Sequence, residues 1–219
     1  MTSTSPATSV CELDGVIASA GFSSNHRFVV GHWDQSPLGP MDDVMWARPD
    51  GERVLIVDRP ATGAFITSVY RFDRVEVLPL SVRTDVDTLL VTAGELRLAL
   101  RAGRTWRIPF RRLRSRTSLR PIERLVARIL LDVRTLGTSP TGVREWYRAS
   151  EYRPVVAAEA ALAGHDLGPL TRFPQPARFG FSEPPRRPAI VRARPRLEDP
   201  SGRLGDVLRE VRSPGDTTE

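Results

Sequence analysis

The chain reads as a mostly β domain: an antiparallel barrel or strongly bent sheet, with one amphipathic helix at about 119–131 and a short C-terminal helix. Three observations predict it. From Phe28 to Phe110, short apolar runs alternate with turn-forming residues. Two runs show strict period two: Leu96, Leu98 and Leu100 against Arg97 and Arg101, then Trp106, Ile108 and Phe110 against Arg107. At Leu119 the period becomes helical, through Ile122, Leu125, Val126, Ile129 and Leu130, with Pro121 tolerated in the first turn. At 219 residues and 40% hydrophobic content, the chain can bury one core.

The elements follow in order. Residues 1–10 are rich in Ser and Thr and are expected to be disordered, and 11–199 form one β-rich domain. RFVVGHW is the first strand, ended by DQSPLGP. DVMWAR and RVLIVD flank Pro-Asp-Gly, a hairpin signal: Pro presets its backbone angle and Gly accepts the left-handed position. AFITSVYRF, RVEVLPL, DTLLVTA, LRLALRA and TWRIPF complete the run of sequential strands. Residues 141–170 allow either a helix through the alanines or two strands. Strands are favoured because Pro154 and the turn at Gly164 interrupt a long helix. Seven prolines between 169 and 195 predict extended, edge-type structure, and PPRRP at 184–188 a stiff edge. Residues 200–219 hold a short helix, with Leu204, Val207, Leu208 and Val211 on one face, and a flexible tail.

Composition removes several chemistries. All 32 basic residues are arginine, so no Schiff base, phosphate-binding loop or protein-kinase site can form. Codon usage in a high-GC genome explains the missing lysines. The single cysteine, Cys11, excludes an intrachain disulfide, a four-cysteine zinc site and a Cys-x-x-Cys pair. Three scattered histidines predict no metal site, and no cofactor is expected. The opening MTSTSPATSV lacks the basic and apolar regions of a secretory signal, and no apolar run reaches membrane-spanning length. A soluble cytoplasmic protein is the expectation.

The net charge of +6 is local. Residues 97–134 hold twelve arginines and two acids, leaving twenty arginines against twenty-four acids elsewhere. Arg120, Arg124 and Arg128 recur at four-residue steps along the predicted helix, with Arg112 in the cluster just before it. Guanidinium groups grip phosphate and carboxylate, so this segment is a candidate surface for an anionic partner: nucleic acid, acidic lipid or a phosphorylated ligand. No reader motif accompanies the charge, which disfavours nucleic acid. A solvated helix face accounts for the same stripe.

Two further constellations bear on chemistry. On an extended strand His32 and Asp34 share a face, where a carboxylate can orient an imidazole for acid–base work. Phe28 and Val30 lie on the same face, so His32 points inward from an apolar row, and Asp42 and Asp43 follow nearby. Read as a strand, 64–72 places Tyr70 beside Ile66, Ser68 and Phe72. Trp46, Tyr70, His32 and Ser68 are then the candidate lining of an interior site for a small, partly apolar molecule. For any one ring, simple core packing is the stronger account. In GVREWYRASEY, a strand puts Glu145 and Tyr147 on one face opposite Trp146, a pairing suited to a hydroxyl or amine.

The blocks RFVVGHWDQSPLGPMDDVMW, SVYRFDRVEV, SPTGVREWY and PARFGFSEPPRRPAIV resemble an uncharacterised protein family of high-GC bacteria, over about residues 22–197. The resemblance implies no activity and carries over no functional residue. The order of strands followed by a helix is similar, as architecture, to lipocalin-like (calycin) barrels. Three functions stay open: small-molecule binding in the barrel, a small enzyme using His32 and Asp34, and an interaction protein using the arginine helix.

Overall fold

The computed structural model describes residues 8–107, 136–173, 177–180 and 185–212. The predicted helix at 119–131, with Arg112, Arg120, Arg124 and Arg128, lies outside them, as do residues 108–110 of the strand expected over TWRIPF. Of the described residues 53% are strand and 11% helix, so the chain is mostly β.

The N-terminal strands β1 (Ser9–Glu12) and β2 (Asp14–Phe22) lead into three that were anticipated: β3 (Arg27–Gln35), β4 (Met41–Ala47) and β5 (Arg53–Val57). Strand β1 begins at Ser9, inside the stretch expected to be disordered, because it pairs with a distant strand rather than a neighbour. The β4–β5 hairpin turns where Pro-Asp-Gly predicts, with Gly51 at φ 92°.

Helix α1 (Pro60–Val69) replaces the strand expected over AFITSVYRF. Its β-branched residues favour a strand locally. However, β5 and the next strand, β6 (Arg74–Val77), pair in parallel, and parallel neighbours need a crossover. Pro60 occupies the first helical position, and buried Thr62, Phe65, Ile66 and Val69 fall on one helical face. Tyr70 and Ser68 therefore do not share a strand face with Ile66.

RVEVLPL divides at Leu78-Pro79 into β6 and β7 (Leu80–Thr84), followed by the hairpin of β8 (Thr88–Ala93) and β9 (Leu96–Ala102). Gly94 turns that hairpin at φ 54°, and Leu96, Leu98 and Leu100 face the core as the alternation predicts. The remaining strands are β10 (Trp106–Arg107), β11 (Leu136–Thr138), β12 (Arg144–Trp146), β13 (Ala149–Leu162), β14 (His165–Asp166), β15 (Leu170–Thr171), β16 (Ala189–Ala193) and β17 (Arg196–Asp199). Helix α2 (Arg203–Arg212) closes the described chain where the sequence places it. Strand β13 turns into β14 through Ala163-Gly164, which answers the helix-or-strand question for most of 141–170. Strand β16 lies between β2 and β13 in mid-sheet; the edge position expected for the proline-rich stretch does not hold there, because Pro188 and Pro195 flank the strand rather than enter it.

The main path runs β6-β5-β4-β3-β2-β16-β13-β9-β8-β7. Its two end strands, β6 and β7, are consecutive in the chain and joined by two residues. That short join forces the sheet to curl on itself into a half-barrel. Inside lie Phe28, Val30, Val44, Trp46, Ile56, Leu89, Leu98 and Leu100. Outside, on the alternate residues of β3–β5, a second core holds Trp33, Met41, Leu55 and Val57 under α1, α2 and a small sheet ordered β1-β17-β12-β11.

Candidate functional site

Strands β3 and β4 expose one set of side chains to each core, and polar groups occur in both. On the inner face, His32 stands directly opposite Asp42 in the ladder. Its Nδ1 lies 2.6 Å from Asp42 Oδ1, at the partly exposed rim. The other carboxylate oxygen, Oδ2, accepts the backbone amide of Val82 at 3.3 Å. Asp42 thus ties β7 to β4, two strands that share no ladder. The bond from Asp42 raises the His32 pKa against the opposing effect of burial, with smaller contributions from Asp42 and Asp34 charges and an opposing one from Arg192.

Asp34, the partner expected for His32, instead accepts Arg192 at 2.7 Å, and the same guanidinium reaches Asp14 at 3.1 Å. The ladder is irregular at Asp34, which has no partner in the β2–β3 register, and the cross-strand neighbour is closer than the next residue but one along the strand. This replaces the His32–Asp34 dyad by His32–Asp42.

Beside this rim opens a cleft of about 170 Å³. Val16, Leu89 and Ile190 line it together with Thr84, Thr88 and Arg192, and acids Asp85, Asp87 and Glu151 stand around it. Val16 is the ladder partner of His32, so the dyad is one strand from the cleft. Arg153 is held by Asp87 at 2.7 Å and by the carbonyls of Val86 and Gly103.

The four expected lining residues do not meet. His32 is at the rim, and Trp46 is buried in the inner core, where its Nε1 donates to His26 Nδ1 at 2.9 Å. Tyr70 packs into the outer core, and Ser68 Oγ donates to the Phe65 carbonyl within α1 at 2.6 Å. The misplaced strand over 64–72 produced the expectation.

The outer core also holds a buried polar group. Tyr70, just past α1, donates to Glu145 Oε2 at 2.6 Å, and its hydroxyl is 2.7 Å from that of Tyr147. Glu145 and Tyr147 meet as the period-two reading of GVREWY predicts; Tyr70 could not be foreseen without α1. Glu145 is fully buried, and burial raises its carboxyl to about 7 although both tyrosines stabilise the anion. Burial, and to a lesser degree the Glu145 and Tyr147 neighbourhood, holds the Tyr70 hydroxyl protonated; the Tyr147 hydroxyl is likewise raised, by burial first.

Asp43, also buried, accepts Trp33 Nε1 at 3.0 Å on Oδ1. Burial raises it to about 7, opposed by the Trp33 bond and aided by the Asp42 charge. Asp43 Oδ2 and Glu145 Oε1 are buried without a hydrogen-bond partner. Successive aspartates thus take opposite faces: Asp42 faces inward at the rim, and Asp43 is buried outward.

Among the described residues no cluster of His, Cys, Asp and Glu can hold a metal, and no helix is long and apolar enough to cross a membrane. Burial raises the lone Cys11 thiol to about 12, aided by Glu12, which suppresses thiolate chemistry. Comparison with known protein families, with characterised proteins and with solved structures finds no match for this chain.

Proposed function

We propose that this chain binds a small, partly apolar molecule at the mouth of the curled sheet rather than in its interior. The interior is filled by its own side chains, with Phe28 and Trp46 buried there. The cleft carries the reading: apolar Val16, Leu89 and Ile190 below hydroxyl, carboxylate and guanidinium groups. A cavity of about 150 Å³ takes a benzene-sized ligand, so a compact molecule with one polar end fits this space. Both lining guanidiniums are already held by carboxylates, which favours a head group that hydrogen-bonds over a strong anion.

The test combines native mass spectrometry of the purified protein with a fragment screen by ligand-observed NMR. Saturable binding that Thr88→Trp abolishes supports the site. The absence of any retained or saturable ligand, or equal binding by Thr88→Trp, overturns it.

A second reading is an enzyme using His32 as general base. It is favoured by the 2.6 Å contact of Asp42 with Nδ1, which leaves Nε2 for a substrate. Loss of a discovered activity in His32→Gln, with substrate binding retained, supports that role; an unchanged rate rules it out. The third reading, an anionic partner at Arg112, Arg120, Arg124 and Arg128, rests on residues outside those described.

A further inference from the structure

Asp43 and Glu145 sit between the two layers of the molecule. Asp43 projects from β4 of the curled sheet, and Glu145 from β12 of the small outer sheet; Tyr70, at the end of α1, bonds the latter. Each carboxyl keeps one buried oxygen without a partner, and among the described residues no guanidinium pairs with either. A neutral acid is tolerated there, whereas an incompletely solvated carboxylate is costly. We propose that docking of the outer layer on the curled sheet is controlled by pH: seated while Asp43 and Glu145 are protonated, and released as they ionise.

The surrounding groups reinforce this. Glu145 faces the Tyr70 and Tyr147 hydroxyls, both held neutral by burial. Asp43 faces Trp33 of β3, feels Tyr147, and has the Asp42 carboxylate behind it on the opposite face. Of the other ionisable groups in the layer, Cys11 stays a thiol, and Asp199 is engaged at the start of α2. Arg144 pairs with Glu198, at residues adjacent to Glu145 and Leu197 and so on the other face of the small sheet. Arg71 and Arg203 are spent on the carbonyls of Pro140 and Thr141, so among the described residues no cation is positioned to replace the lost proton.

Both acids are raised in the folded layer to about 7 and return to about 4 when solvated. The seated layer thus holds protons that the released one gives up, so stability falls as pH rises from about 4 through about 7. Between pH 6 and 8 each carboxyl shifts the opening equilibrium by about tenfold, or about a hundredfold together.

Amide hydrogen exchange of the wild-type protein at pH 6 and 8, corrected for intrinsic rates, tests this. The expected result is about a hundredfold loss of protection in α1 and β12, with β8 and β9 unchanged, and about a tenfold loss in Glu145→Gln. Equal protection at both pH values, equal loss across all strands, or a Glu145→Gln protein that responds like wild type overturns the proposal. Should the variant not fold, carbon-13 titration of the wild-type carboxyls decides: midpoints near 7 support it, and midpoints near 4 overturn it.

Discussion

The Trp46 indole donates its one N–H to His26 Nδ1 at 2.9 Å, which fixes the proton of the neutral imidazole on Nε2. The rings also stack, 5.5 Å apart, and Phe28 stacks on Trp46 in turn. Burial first, then the Arg48 charge, lowers the His26 pKa, against a smaller opposing effect of Asp50. Protonation of His26 places two donors against each other and breaks the bond.

Acidification is therefore expected to change Trp46 fluorescence with a midpoint below the usual histidine value. The unfolded chain takes up this proton below about 6.5, whereas the folded chain resists it. The His26 contribution to stability is thus full above about 6.5 and declines as pH falls. The difference between wild type and Trp46→Phe isolates the signal; a midpoint at or above 6.5 contradicts the assignment.

His32 titrates in the opposite sense. Asp42 raises its pKa, so the pair adds stability that is fully present below about 6.5 and is lost as pH rises through the folded value. Asp42→Ala removes the acceptor for both His32 and the Val82 amide and is expected to cost about 1–3 kcal/mol. Asp42→Asn retains an acceptor but not the charge, so the His32 midpoint returns toward 6.5 by proton NMR. Urea denaturation at pH 6 measures the first effect.

Gly31 lies beneath the Trp33–Asp43 bond. A Cβ at this position comes within 2.3 Å of Asp43 Oδ1 and 2.6 Å of Trp33 Nε1. Gly31→Ala must displace that hydrogen bond from a packed core and is expected to destabilise by about 1–3 kcal/mol. A thermal melt and near-UV dichroism of the tryptophans provide the check.

Asp199 organises the start of α2. Its Oδ1 accepts the Ser201 amide and hydroxyl, and its Oδ2 accepts the Leu204 amide at 2.7 Å. Burial opposes ionisation, yet these bonds and the Arg203 charge leave its pKa below the usual value. The resulting stability is present above about 3.9 and is lost as pH falls through the lower folded value. Asp199→Ala is expected to cost about 1–2 kcal/mol and to accelerate exchange of the Leu204 amide.

The strands from Arg27 to Ala102 were legible where neighbours in sequence are neighbours in space, as at Gly51 and Gly94. Period two also placed Glu145 beside Tyr147. What escaped was set by distant pairing. Strand β1 exists through β17, β16 is central because β2 and β13 flank it, and α1 exists because β5 and β6 run parallel. That last point separated Tyr70 from Trp46 and dissolved the expected interior site. The His32 partner was misassigned because register, rather than spacing along one strand, decides which carboxylate it meets.

The two-residue join between β6 and β7 also limits how the molecule can breathe. Val77 and Leu80 are three Cα steps apart, a reach of at most about 11 Å. The lateral seam of the ribbon is therefore pinned at that end, and the Val82 amide bound to Asp42 ties β7 to β4 further along. The proposed guest has no need of the filled interior: it stays at the mouth, beside the rim where Asp42 holds β7 to β4.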